Sequence, residues 1–236
     1  MISTKQDQLL CVIIPCYNEE STISQLLKEV LSQREVGQVI VINDCSNDKS
    51  EELILKINDP RLLYLRNEEN LGKGASVAKG ITSCNLPFLV IQDADLEYSP
   101  KEYKRLLVPL LDGRADAVYG SRFLAFDGRR VLYFWHHLGN SFLTLLSNAM
   151  TNLDLTDMET CYKMMKSEFA KKLNLKEKRF GIEPEITAKL AKSRARIYEV
   201  AIGYSGRTYA EGKKITWKDG FSAIRCIVKY NLFKSS

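Results

Sequence analysis

Short apolar runs alternate with helical patterns through the first half of the chain, and this alternation restricts the fold more than any other feature. The runs at 9–15, 39–43, 62–66 and 88–92 have strand length, and patterns with helical spacing at 21–31, 50–57 and 73–83 separate them. Ser21 ahead of Ile23, Leu26, Leu27 and Val30 supplies a cap and then an apolar stripe three and four residues apart. Strand and helix in turn at this spacing predict an α/β fold, a mostly parallel sheet with right-handed crossovers. A helix at 99–111, with Pro100 in its first turn, and a strand at 115–119 continue the series. No repeat, low-complexity tract or linker interrupts the 236 residues, so 1–236 reads as one domain with amphipathic C-terminal elaborations.

The run Phe88-Leu89-Val90-Ile91-Gln92 stops abruptly at Asp93-Ala94-Asp95-Leu96-Glu97. Residues at the carboxyl ends of parallel strands face the crevice where open sheets bind ligands. Three carboxylates there repel one another unless a cation holds them, and hard oxygen donors favour Mg2+ or Mn2+ shared with substrate phosphates. An isolated Asp-x-Asp would be a solvated loop, but the other strand ends are polar too. The first ends in Pro15-Cys16-Tyr17-Asn18-Glu19-Glu20, the second in Asn43-Asp44-Cys45-Ser46-Asn47-Asp48, and Asn70-Leu71-Gly72-Lys73-Gly74 follows the third. The Tyr17 ring, the acceptors Glu19 and Asp44, and the glycine-flanked Lys73 suit a nucleotide. Carboxylates accept from base N–H and ribose hydroxyl groups, while a metal and Lys73 balance a diphosphate. Each motif alone has an ordinary explanation as a helix start, a cap or a turn, and Gly-Lys-Gly lacks Walker spacing. Four in series point to a site.

Six cysteines, at 11, 16, 45, 84, 161 and 226, form no Cys-x-x-Cys pair, so neither zinc nor a disulfide framework is expected, and reduced thiols suit a cytoplasmic protein. The adjacent His136 and His137 have no triad spacing around them and read as structural. Net charge is uneven. Residues 1–170 carry 18 Lys and Arg against 23 Asp and Glu, a net −5, whereas 171–236 carry 16 against 6, a net +10. A basic face of this kind implies phosphate groups or an anionic lipid surface as partner; no nucleic-acid motif accompanies it. No run approaches the ~18 apolar residues that span a bilayer, and the N-terminus shows no signal-peptide pattern. Two amphipathic segments could still rest on a membrane. In 217–233, Trp217, Phe221, Ile224, Val228 and Leu232 recur every three or four positions beside Lys218, Arg225 and Lys229. The segment 131–150 is rich in Leu and Phe, with Trp135, but His136, His137, Asn140 and Asn148 break it. Packing on the core is the alternative for both.

The motifs Ile13-Ile14-Pro15-Cys16-Tyr17-Asn18-Glu19-Glu20, Ile42-Asn43-Asp44-Cys45-Ser46-Asn47-Asp48, Asn70-Leu71-Gly72-Lys73-Gly74-Ala75 and Gln92-Asp93-Ala94-Asp95, in this order, resemble family-2 glycosyltransferases. That resemblance implies a GT-A fold, with a Rossmann-like sheet carrying helices on both faces. Asp95-Leu96-Glu97-Tyr98-Ser99-Pro100, Tyr119-Gly120-Ser121-Arg122 and Thr156-Asp157-Met158-Glu159-Thr160-Cys161-Tyr162-Lys163 are similar to the polyprenyl-phosphate transferases within it, such as dolichol-phosphate mannose synthase. By this resemblance, residues 1–122 form the nucleotide-sugar part and 123–236 the acceptor and membrane-facing part. Pro15, Tyr17, Glu19 and Asp44 would hold base and ribose, with Lys73, Gln92 and Asp93 completing the donor site. Asp93, Asp95 and Glu97 would bind Mg2+ or Mn2+ and the diphosphate.

The resemblance also sets 157–163 beside donor sugar and acceptor, which makes Asp95, Asp157, Glu159 and Arg122 the catalytic candidates. A hydroxyl acceptor needs a carboxylate base, for which Asp157 and Glu159 are available. A phosphate acceptor is already ionised and needs positioning and neutralisation instead, for which Arg122, Arg129, Arg130, Arg207, Lys213 and Lys214 are at hand. The implied activity is inverting, metal-dependent transfer of a hexose from GDP-mannose or UDP-glucose to a polyprenyl phosphate. The enzyme would sit at the cytoplasmic membrane face, attached by amphipathic segments, a membrane partner protein or homo-oligomerisation. Transfer to a saccharide hydroxyl, or a non-catalytic nucleotide-sugar-binding module at the membrane surface, are the alternatives.

Overall fold

A computed structural model describes residues 8–124, 130, 133–207 and 217–233, with the side chains of 217–219 excepted. Its centre is a seven-stranded sheet in the order β3-β2-β1-β4-β6-β5-β7. The strands are β1 Leu10–Cys16, β2 Val36–Asn43, β3 Leu62–Arg66, β4 Phe88–Ile91, β5 Ala117–Ser121, β6 Lys163–Lys166 and β7 Ile197–Ala201. All pair in parallel except β6, which runs antiparallel to both β4 and β5. β1 and β2 are buried along almost their whole length, as a central parallel sheet covered by helices requires.

The expected helices form as α1 Ile23–Leu31, α2 Ser50–Leu55 and α3 Lys73–Ser83. Ile23, Leu26, Leu27 and Val30 are the buried face of α1. The segment expected as one helix at 99–111 divides into a 3-10 turn, Pro100–Glu102, and α4, Tyr103–Leu111. Beyond β5 come α5 Phe134–Thr151, α6 Ser167–Lys172, α7 Ile182–Lys192 and α8 Trp217–Leu232.

Two features place the functional groups. The chain leaves β1 for β2 and β3 on one side and returns to β4 on the other, so a crevice opens where the loops after β1 and β4 diverge. Because β6 is antiparallel, its amino end lies at the same edge as the carboxyl ends of β4 and β5; Lys163 is paired with Tyr119. Loops 16–22, 92–99 and 156–162 and the segments after β5 and β7 are thereby gathered on one edge.

Of the two alternatives for 217–233, packing on the core holds for one face of the C-terminal helix. α8 turns Ala223, Cys226, Ile227 and Tyr230 inward, and Arg225 and Lys229 pair with Glu177 at 2.7 and 2.8 Å. Ile224 and Val228 are half-buried, while Phe221 and Leu232 are exposed. The side chains of Trp217 and Lys218 lie outside the described residues, as do Arg129, Lys213 and Lys214. α5 carries the exposed apolar side chains Phe134, Trp135, Leu138, Phe142 and Leu145 within one sector of its surface. Among the described residues no helix is long and apolar enough to cross a membrane.

Candidate active site

The loops after β1 and β2 are laced together before any ligand is considered. The backbone N–H groups of Asn18, Glu19 and Glu20 donate to Ser46 Oγ (3.0 Å), Ser50 Oγ (2.9 Å) and Asp48 Oδ2 (3.0 Å), and Asn47 N–H returns to Asn18 Oδ1 at 2.9 Å. Asn18 and Cys45 adopt left-handed backbone, at φ 52° and 62°, to make these turns. The result is an exposed Tyr17 ring on a fixed ledge above a half-buried Pro15 and a buried Glu19.

Asp44, expected to bind base or ribose, holds the neighbouring loop in this structure. Its Oδ1 accepts from Leu71 N–H (3.0 Å) and Asn67 Nδ2 (2.7 Å), and its Oδ2 from Gly72 N–H (2.7 Å). With three donors on a carboxylate that is 3% exposed, it shapes the loop that carries Lys73. Gly72 has φ +96°, and a Cβ on Gly74 would stand 2.1 Å from Glu177 O, so the glycines around Lys73 serve close packing by residues 177–178. Gln92 also departs from expectation. It is fully buried, its Oε1 accepts from Tyr103 and Tyr162 hydroxyls, both at 2.6 Å, and its Nε2 donates to Asp93 O at 3.0 Å. It therefore anchors the strand end from within the core.

The three acids after β4 divide between two cations. Asp93 Oδ1 accepts from Lys73 Nζ at 2.7 Å, and the same ammonium reaches Glu183 Oε1, in the first turn of α7, at 2.9 Å. Burial raises the pKa of Asp93, yet the Lys73 ammonium outweighs it and holds the carboxyl below the usual range. Asp95 and Glu97 share Arg207, whose Nη2 lies 2.7 Å from Asp95 Oδ2, Nε 3.4 Å from Glu97 Oε1, and Nη1 3.3 Å from Glu19 Oε2. Backbone N–H of Arg207 and the Tyr204 hydroxyl also donate to Glu97, at 2.7 and 2.8 Å. Arg207, expected near an acceptor phosphate, thus sits on the donor-side acids. Burial, then the charges of Asp93 and Glu97, push Asp95 up to about 7, against the pull of Arg207.

Among the described residues no three His, Cys, Asp or Glu converge tightly enough to hold a metal ion in this arrangement. The donor chemistry nevertheless fits a hard divalent cation: Asp95 and Glu97 are adjacent carboxylates with a surplus of negative charge that already draws a guanidinium.

Across the edge, Arg122 grips Asp157 in a fork, Nε to Oδ2 at 2.6 Å and Nη2 to Oδ1 at 2.7 Å, while its backbone N–H donates to Oδ2 at 3.1 Å. Asn140 Nδ2 donates to Oδ1 at 3.4 Å, and Glu199 accepts from the backbone N–H of Thr156 and Asp157. The Arg122 guanidinium lies 5.2 Å from the centre of the Tyr204 ring. Glu159 is in a different situation: among the described residues its Oε1 is buried with no hydrogen-bond partner, and so is Glu183 Oε2. Burial, then Glu183, push the Glu159 carboxyl up to about 8. Tyr98, Asn140, Glu183, Glu199 and Tyr204 all bear on the site without a sequence-derived role. Tyr98 lies within a motif that carries the family resemblance, and Glu183, in a Glu-Pro-Glu at a helix start, has a recognisable signal too.

Residues 11–173 match the model of the family described as glycosyl transferase family 2. The uncharacterized protein MJ1222 of Methanocaldococcus jannaschii is 26% identical over 227 residues, covering 94% of this chain and 92% of that protein. A poly-beta-1,6-N-acetyl-D-glucosamine synthase of Staphylococcus aureus is 35% identical over 85 residues, 35% of this chain and 21% of that protein. Among solved structures, the glucosyl-3-phosphoglycerate synthase of Mycobacterium tuberculosis, in complex with Mn2+, UDP and glucosyl-3-phosphoglycerate, superposes with a TM-score of 0.73. It is 18% identical, with 98% of this chain and 83% of that chain covered.

Proposed function

The chain belongs to glycosyl transferase family 2 and is a glycosyltransferase of GT-A fold, and from that premise we propose that it transfers a hexose from a nucleotide sugar to a polyprenyl phosphate with inversion. The observation that carries the choice of acceptor is the state of Asp157. Both oxygens of this fully buried carboxylate are committed to the half-buried Arg122 guanidinium, so it is not free to take a proton from a hydroxyl. A phosphate monoester is already ionised and makes no such demand. Arg122, held rigidly by Asp157 and backed by Tyr204, supplies a preorganised positive group for it.

On the donor side, Tyr17 offers a stacking face and Glu19 and Pro15 the walls of a nucleoside pocket, with Asp44 keeping the Lys73 loop in place. Asp95 and Glu97, with Asp93 beside them, would hold Mg2+ or Mn2+, and what such an ion supplies is screening of the departing nucleoside diphosphate. Lys73 keeps Asp93 ionised at that edge. The related structure with bound Mn2+ and UDP supports this assignment. GDP-mannose and UDP-glucose remain the donor choices. The exposed apolar sector of α5 supports peripheral attachment on the cytoplasmic membrane face.

A second reading rests on Glu159. Its buried, unpartnered oxygen would serve as base for a hydroxyl acceptor. Incubation with radiolabelled GDP-mannose or UDP-glucose, Mn2+, and either dolichyl phosphate or a saccharide separates the two. Label in the lipid fraction supports the proposal; label in the saccharide alone rejects it for the second reading.

A further inference from the structure

Lys163 opens β6, and its side chain is entirely withdrawn from solvent. A buried ammonium is costly unless acceptors and counter-charges surround it. Here Nζ donates to Met158 O at 2.8 Å and to Thr160 O, and it lies 4.8 Å from the centre of the Tyr119 ring. Those two carbonyls stand on either side of Glu159. The Tyr119 hydroxyl is in turn fixed to Thr187 Oγ1 on α7 at 2.9 Å. Asp157, Glu159 and Cys161 from the loop before β6, and Glu183 from α7, are the other titratable groups facing the ammonium. Glu159 and Glu183 are the two residues with buried oxygens unpartnered among the described residues, and the turn that Lys163 ties down carries the first of them.

We infer that Lys163 is a positioning residue for transfer: its side-chain nitrogen pins the carbonyls on both sides of Glu159, so that the turn carrying Asp157 and Glu159 is set before substrates arrive. The inference rests on the reading of that turn as the place where sugar and acceptor meet. A neutral side chain of similar length that cannot donate would free both carbonyls. The loop would then relax, while the donor ledge at Tyr17 and the acids after β4, held by other bonds, would not.

The test compares Lys163→Met, Lys163→Gln and Lys163→Arg with the wild type in two ways. Hydrogen exchange is followed in the peptide covering 156–161. Binding and turnover of UDP-glucose and GDP-mannose with Mn2+ are measured on dolichyl phosphate and on a saccharide acceptor. Lys163→Met is expected to exchange about tenfold faster at 156–161, with β1 and β4 unchanged. Its turnover is expected to fall about 100-fold at nearly constant donor KM, the size of loss a small misplacement of reacting groups causes. Lys163→Arg, which keeps the charge, is expected to recover a large part of both. Unchanged exchange at 156–161, or turnover close to wild type in Lys163→Met, overturns the inference. Should Lys163→Met not fold, the same readouts on Lys163→Gln and Lys163→Arg decide it. A wild type that turns over neither nucleotide sugar defeats the proposed function, and exchange at 156–161 then decides by itself whether Lys163 sets the turn.

Discussion

At Asp157, Oδ2 receives the Arg122 Nε–H and backbone N–H, and Oδ1 receives Nη2–H, so neutralising the carboxylate would strand a guanidinium in the interior. Breaking a buried pair in this way costs about 3–5 kcal/mol. Asp157→Asn is therefore expected to melt roughly 10 °C below the wild type, and a melt that hardly moves would show that the pair is not structural. Glu159 makes a prediction of the opposite sign. Its carboxyl titrates at about 8, above its ordinary value of 4.5. The stability it contributes is complete below the lower value and is lost as pH rises through the upper one. Glu159→Gln removes that loss, so its melting temperature should exceed the wild type's at pH 9 and the gap should close at pH 4; parallel curves across the range would contradict it. The placement of Asp93, Asp95 and Glu97 at a strand end is legible in the sequence. The inward turn of Gln92 is not, because it depends on hydroxyls from Tyr103 and Tyr162, which only the fold brings near. The pairing of Lys73 with Glu183 is hidden for the same reason.

Among the elements, the loop before α7 is tied to α8 through one side chain. Glu177 accepts from Arg225, Lys229 and the Tyr230 hydroxyl at 2.7, 2.8 and 2.9 Å. Burial works against its ionised form, but these three donors outweigh it and lower the carboxyl to about 2. The contribution is thus present above pH ~4.5 and lost as the pH falls toward 2. Glu177→Gln is expected to cost about 1 kcal/mol at pH 7 after discounting for the exposed ends of Arg225 and Lys229, and to speed exchange in α8 first. Uniform loss of protection across the molecule would contradict that local role. The early alternation of strand and helix was readable because each element there carries its own period. β6 was not: Lys163-Met164-Met165-Lys166 is four residues long and has no alternation, and its antiparallel course is set by β4 and β5 on its flanks. α8 was read correctly as a helix, but its inward face includes Cys226 and Tyr230, which a hydropathy stripe passes over.

For the whole molecule, the +10 of residues 171–236 is a sum and not a surface. Arg196 and Arg207 are paired with Asp116 and Asp95, carboxylates outside that segment, so the field outside is weaker than the count implies. The proposed membrane attachment would accordingly rest more on apolar area than on charge. Flotation with phosphatidylglycerol vesicles is expected for the wild type. In Trp135→Ser/Phe142→Ser it should weaken by at least about tenfold, since each ring contributes on the order of 1.5–3 kcal/mol when buried. Equal flotation of the two proteins would move the contact away from α5.

The claim on which these rest is that a nucleotide sugar docks at the carboxyl end of β4 through a divalent ion held by Asp95 and its neighbours. Titration calorimetry of UDP-glucose and GDP-mannose, with and without Mn2+, on the wild type and on Asp95→Asn tests it directly. Binding of one donor that needs Mn2+ and is lost in Asp95→Asn is the predicted result. Binding that is indifferent to Mn2+, or that survives intact in Asp95→Asn, would contradict it.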